Sequence, residues 1–318
     1  MLRCLLLVML LALSLAPAGC RKHQEAPVGQ RLQVVTTLFP VYDFVRTVGG
    51  DKVQAQLLLP PGVEPHSFEP KPEDMVRIAK ADLFVYTSPL MEPWAAKLLA
   101  GLDGGRRPVA VVAAEKVTYL PAGAGPHGHH DAAGEEHRHG AEGKDPHVWL
   151  DPANARQMVA TITASLVARD PANGSFYAAN AAAYDRRLAD LDGRFKQGLA
   201  NCGTREFLHG GHGAFGYLAA RYGLQYQAAY ALAADAEPTP GRLVALVRQL
   251  REHGLHHIFY EELLTPRVAE TIAKETGATL LPLHGLHNLS RDELARGESY
   301  LSLMEQNLSN LRTGLACR

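Results

Sequence analysis

The chain has 318 residues, with 32 Lys or Arg against 33 Asp or Glu, for a formal net charge of −1 at pH 7. No strong field is available to attract nucleic acid or an anionic membrane, so neither is expected as a partner. Setting aside an N-terminal leader leaves about 300 residues, enough for two ordinary domains.

Residues 1–19 read as a secretory signal: Arg3, an apolar run from Cys4 to Ala16 too short to span a bilayer, then small residues before Cys20. The segment Leu15-Ala16-Pro17-Ala18-Gly19-Cys20 is similar to a bacterial lipobox and makes Cys20 a candidate for lipidation. Loss of Arg3 with the signal leaves 31 basic and 33 acidic side chains, a charge of −2. Residues 20–30 are polar and read as a tether. The mature chain offers no other segment long and apolar enough to be transmembrane.

From there, strands and helices alternate. Residues 34–37 read as a buried strand, 41–48 as a helix ending at Gly49-Gly50, and 53–59 as a strand, after which Pro60-Pro61-Gly62 turns the chain toward His66. A helix over 72–79, a strand over 82–86, a helix over 94–102 and a strand over 109–112 follow. Residues 123–144 break the rhythm: His127, His129, His130, His137 and His139 stand among Gly, Ala and acidic residues, with no large aliphatic side chain to bury. Helices over 153–169 and 174–199 come next, the second roughly 39 Å long and readable as a rigid strut. The second half returns to strands at 205–208, 224–229, 257–260 and 279–281, with helices over 215–222, 240–253, 267–276 and 299–311.

This order predicts an α/β protein of two similar lobes, each a mostly parallel sheet flanked by helices, joined by one long rigid helix. The expected divisions are a leader over 1–19, a tether over 20–30, an N-terminal lobe over 31–170, a connecting helix over 171–201 and a C-terminal lobe over 202–318. Two lobes on a stiff connector predict a cleft between them.

Four histidines stand at or just after strand ends, where α/β sheets place their ligand sites: His66, His147, His212 and His284. Separations of 81, 65 and 72 residues exclude a local finger-like site, so a shared site must form between the lobes. His66 and His147 each follow a proline, which stiffens the backbone that carries them. Rigidly held imidazoles beside a His-rich reservoir point to capture of a transition metal, Zn2+ before Mn2+. Within the reservoir, His127, His129 and His130 are close enough in sequence to chelate one ion together. Gly211, Gly213 and Gly216 fit a GxGxxG pattern, but no acidic residue falls about 20 positions on, which argues against a dinucleotide site. His253, His256 and His257 read as structural or surface residues, and His209 as a strand-end neighbour of His212. Of the four cysteines, Cys202 and Cys317 remain beyond the leader and are a candidate disulfide in an oxidising compartment.

Several segments together resemble the periplasmic zinc- or manganese-binding proteins of ABC importers, the cluster A-I solute-binding family that includes the zinc-uptake ZnuA proteins. They are Val34-Val35-Thr36-Thr37, Pro61-Gly62-Val63-Glu64-Pro65-His66, Glu92-Pro93-Trp94, Asp145-Pro146-His147-Val148-Trp149-Leu150-Asp151-Pro152, His212-Gly213-Ala214-Phe215-Gly216-Tyr217, Glu237-Pro238-Thr239-Pro240, Tyr260-Glu261-Glu262 and Gly297-Glu298-Ser299-Tyr300. The resemblance implies a non-enzymatic, monomeric binding protein that captures zinc in the periplasm and delivers it to an ABC permease at the inner membrane. It implies His66, His147 and His212 as metal ligands. The family's fourth ligand is usually an Asp just after the last strand. Here Leu281-Pro282-Leu283-His284-Gly285-Leu286-His287 has no carboxylate. His284 is the first choice there, with His287, water or a nearby Glu as alternatives. The His-rich insert resembles one found in zinc-binding members and implies a weak auxiliary site. The rival readings are a manganese importer subunit, a periplasmic zinc buffer or chaperone, and a zinc hydrolase. The last has no HExxH to support it.

Overall fold

The computed structural model describes residues 31–102, 107–122, 143–232, 238–263 and 265–318. The leader, the tether with Cys20, and the histidines His127, His129, His130, His137 and His139 lie outside them. Arg31–Arg318 forms one compact unit.

Its first half runs β1 (Leu32–Thr36), α1 (Phe39–Gly49), β2 (Val53–Leu57), α2 (Pro72–Lys80), β3 (Leu83–Tyr86), α3 (Pro93–Ala100) and β4 (Val109–Val112), followed by α4 (Pro152–Arg169) and α5 (Gly174–Gly198). The second half runs β5 (Glu206–His209), α6 (Gly216–Tyr222), β6 (Gln225–Ala228), α7 (Pro240–Glu252), β7 (His257–Tyr260), α8 (Arg267–Thr276), β8 (Thr279–Pro282), α9 (Arg291–Arg296) and α10 (Tyr300–Gly314). The predicted strands and helices form within a few residues of their expected ends. The short α9 was not expected, although Ser290 and Glu293 form a capping box at its start.

Each half builds a four-stranded parallel sheet, in the orders β2-β1-β3-β4 and β6-β5-β7-β8. The two orders are the same once renumbered. In both, the connection reverses direction between the first and third strands, which opens a crevice at their carboxyl ends. Sheets covered on both faces need strands apolar throughout, and β3, Leu83-Phe84-Val85-Tyr86, is buried at every position.

The long helix α5 sits against the core through Tyr177, Tyr184, Leu188, Leu191 and Phe195, a stripe at helical spacing. One continuous cluster joins α1, α4 and α5 to Phe207, Phe215, Leu283, Tyr300 and Leu311 of the second half. Polar ties reinforce it. Buried Asp43 of α1 accepts the Tyr300 N–H at the start of α10, and Arg221 of α6 pairs with Asp151 and Asp192. Cys202, just after α5, and Cys317, just after α10, are joined in a disulfide.

Candidate metal centre

Both crevices face each other, and the segments that follow four of the strands supply the side chains between them. His66 comes from the loop after β2, His147 from the segment after β4, His212 from the turn after β5 and His287 from the loop after β8. The Nε2 atoms of His66 and His147 lie 3.2 Å apart, those of His147 and His212 3.3 Å, and those of His212 and His287 3.2 Å. One ring nitrogen from each of the four lies within 4.8 Å of all the others, the one such group of His, Cys, Asp or Glu among the described residues. Zinc–nitrogen bonds of about 2.0–2.1 Å in a tetrahedron put ligand nitrogens about 3.3–3.4 Å apart. Three of the six pairs match that spacing, and all four nitrogens lie close enough together to surround one ion.

Two of these rings are oriented by buried carboxylates. Asp145 Oδ1 lies 2.8 Å from His147 Nδ1 and also accepts the His147 backbone N–H. Glu261 Oε2 lies 2.5 Å from His212 Nδ1, and its Oε1 accepts the His212 backbone N–H. A carboxylate at Nδ1 holds the proton there and leaves the Nε2 lone pair facing inward. The Nε2 atoms of His147 and His212 are 3.3 Å apart, so in the absence of metal a proton on one of them can be shared as a hydrogen bond, and a bound cation would take its place.

Burial and the neighbouring His212 and His66 hold His147 well below the ordinary imidazole value. Burial and the neighbouring rings do the same to His287. Both are neutral at pH 7 and ready to bind metal. His212 behaves differently. Burial pulls it down, but the charge and hydrogen bond of Glu261 outweigh that and raise it. For Asp145, burial pushes the carboxyl up to about 7.

The glycines that mimic a dinucleotide fingerprint have another purpose. A Cβ at Gly211 would strike the Glu261 carboxylate, and one at Gly216 would strike Asp145. The motif is glycine-rich because the two orienting carboxylates occupy the space side chains would need. Asp145 and Glu261, which contact His147 and His212, were given no role from the sequence. The signals available were Asp145 two positions before His147 and an acidic pair directly after β7.

The expectation that His284 completes the cluster is corrected. Its Nδ1 lies 3.1 Å from Glu262 Oε1, its Nε2 3.3 Å from Glu293 Oε1, and Leu286 N–H donates to Nδ1 at 2.9 Å. The ring is turned toward these carboxylates, outside the group. Leu286, between the two histidines, is buried with φ 59°, and His287, not His284, lies in the group. Trp149 buttresses that segment: its indole N–H donates to Gly285 O at 2.9 Å, and its ring lies edge-on to His287 at 5.2 Å. His209 is fully buried against Phe215, behind Glu261. His253 pairs with Glu206 at the surface.

A family model described as the periplasmic zinc-uptake complex component A, ZnuA, matches residues 34–314. The chain is 37% identical over 308 residues to the zinc-binding lipoprotein AdcA of Streptococcus pneumoniae, covering 97% of this chain and 60% of that one, so it spans about three-fifths of that relative's length. It is 37% identical over 287 residues to the high-affinity zinc uptake system protein ZnuA of Bacillus subtilis, covering 90% and 88% of the two chains. The crystal structure of the Zn(II)-bound ZnuA-like domain of Streptococcus pneumoniae AdcA superposes with a TM-score of 0.75 at 35% identity, covering 90% of this chain and 99% of that domain. With its paired parallel sheets and facing crevices, the chain belongs to the ZnuA family of zinc-uptake components.

Proposed function

We propose that this protein captures zinc between its lobes and hands it to the permease of an ABC importer, with no chemistry of its own. One observation carries the reading: four imidazole nitrogens gathered within 4.8 Å of one another, two of them aimed by buried carboxylates. His66, His147, His212 and His287 are the ligands. An all-nitrogen set favours zinc over manganese, which prefers harder oxygen donors. Four protein ligands leave no open coordination position, whereas a hydrolytic zinc keeps one for water. The protein acts as an exported monomer; a periplasmic location accords with the description of the matching family, and a lipid anchor at Cys20 with the lipoprotein relative. The His-rich segment over 123–144 serves as a weak auxiliary site, with His127, His129, His130, His137 and His139 gathering zinc and passing it to the cleft.

Competitive titration of the metal-free protein with zinc and manganese at neutral pH tests this. One tight zinc event, weaker additional ones and feeble manganese binding are expected. Equal or tighter manganese binding would move the protein to the manganese branch of importers. Normal growth of a deletion strain under zinc limitation would favour a zinc buffer over an importer subunit.

A further inference from the structure

The loop that carries His287 also grips the loop that carries His66. Asn288, the next residue, is completely buried. Its Nδ2 donates to Pro60 O at 2.7 Å and to Val63 O at 3.0 Å, while its Oδ1 accepts the Leu289 N–H at 2.8 Å. Gly62 N–H donates to Leu289 O at 2.8 Å, and Phe39 N–H to His287 O at 3.1 Å. One lobe's final loop is thus stitched to the other lobe just before His66.

The segment it grips has little regular structure of its own. No helix or strand lies between Leu57 and Pro72; within the loop Ser67 N–H donates to Glu64 Oε2, and beyond it Leu58 N–H donates to Thr36 O. His66 is also the half-buried ring of the four, while the other three are buried. Packing alone holds it least, so its place in the cage depends on how its loop is anchored. A carboxamide is well matched to such an anchor. Its single NH2 group has two donors for two carbonyls, which neither a carboxylate nor a hydroxyl can supply.

We propose that Asn288 is a positioning residue for the metal site, acting through His66. Its carboxamide fixes the loop so that His66 Nε2 reaches the cage across the lobe boundary. Without it, the loop must be ordered when the ion binds, and that lost freedom weakens binding. The inference rests on the four-histidine zinc site proposed above.

The test measures zinc dissociation constants for the full chain, Asn288→Ala and Asn288→Asp, each in the native, His66→Ala and His287→Ala backgrounds. Cobalt(II) absorption reports the coordination of each. In the native background, both substitutions are expected to weaken zinc about 10–100-fold, the usual range for a residue that supports a ligand. In the His66→Ala background, the added loss should fall below about twofold, because the partner through which Asn288 acts is gone. The cobalt spectrum of Asn288→Ala should shift toward that of His66→Ala. Asn288→Asp keeps the acceptor for Leu289 and the residue's shape, so it carries the test if the alanine variant does not fold. An equal loss with and without His66 overturns the proposal, as does no loss in the native background. A loss that vanishes only with His287→Ala also overturns it, since Asn288 would then act through its neighbour. If His66→Ala itself binds zinc like the native chain, the four-histidine reading fails, whatever Asn288 does.

Discussion

His284 and His287 are three positions apart, with the left-handed Leu286 between them, and their surroundings differ. Leu286 adopts the left-handed region, which costs a non-glycine residue on the order of 1 kcal/mol or more. His284 lies between Glu262 and Glu293, and His287 lies in the cage. His287→Ala should therefore reduce zinc affinity by several orders of magnitude, and His284→Ala by at most about 10–100-fold. The reverse order in a competition titration would return the fourth ligand to His284. A second prediction follows from His212. Glu261 raises its pKa, while His147 and His287 are lowered and already neutral. Metal needs the neutral ring, so zinc competes with a proton at His212 at a higher pH than at an ordinary histidine, whose pKa is about 6.5. Zinc binding at pH 7 should release protons, read by calorimetry in buffers of differing ionisation enthalpy, and affinity should fall steadily from pH 7 to pH 5. Glu261→Gln should lower the pH at which that decline begins; an unchanged profile would remove Glu261 from control of the site.

Among the elements, the longest helices carry the connection between the halves. Residues 174–199 read as one long helix, and the helix forms over Gly174–Gly198. Its partner was less legible: α10 packs against α5 across a gap of about a hundred residues, and the disulfide fastens the chain just beyond both ends. Cys202 and Cys317 are 115 residues apart, and closing a loop of that order restricts the unfolded chain by about 4–5 kcal/mol on a chain-entropy account. Reduction should lower the midpoint of thermal unfolding of the metal-free protein by several degrees, while zinc affinity changes little, because neither cysteine adjoins the cage. A large drop in affinity would instead mean that the α5–α10 tie sets the spacing of the lobes. The short α9 escaped the sequence reading because six residues give little periodicity, although its capping box was present.

At the scale of the molecule, two sheets of the same strand order share one apolar core. Wide hinge opening would expose that core, so loading should involve modest movement of the lobes. The ends flanking the His-rich segment meet: Pro121 pairs with Lys144, and Ala122 N–H donates to Gly143 O at 2.5 Å. Excision of residues 123–142 therefore leaves ends that can be joined. The shortened protein should keep its tight zinc event and lose only weak stoichiometry in a titration. Loss of tight binding would make the segment part of the cage.

The sequence by itself determined the alternating α/β order, because strand and helix periodicities are local and apolar runs must be buried on both sheet faces. It also determined the proline-stiffened turns that carry His66 and His147, since proline acts on its own backbone. Only the tertiary structure shows that His287 and not His284 lies with the other three rings, that Asp145 and Glu261 lie against two of them, and that Asn288 links the two loops. Those facts depend on where segments far apart in the chain meet.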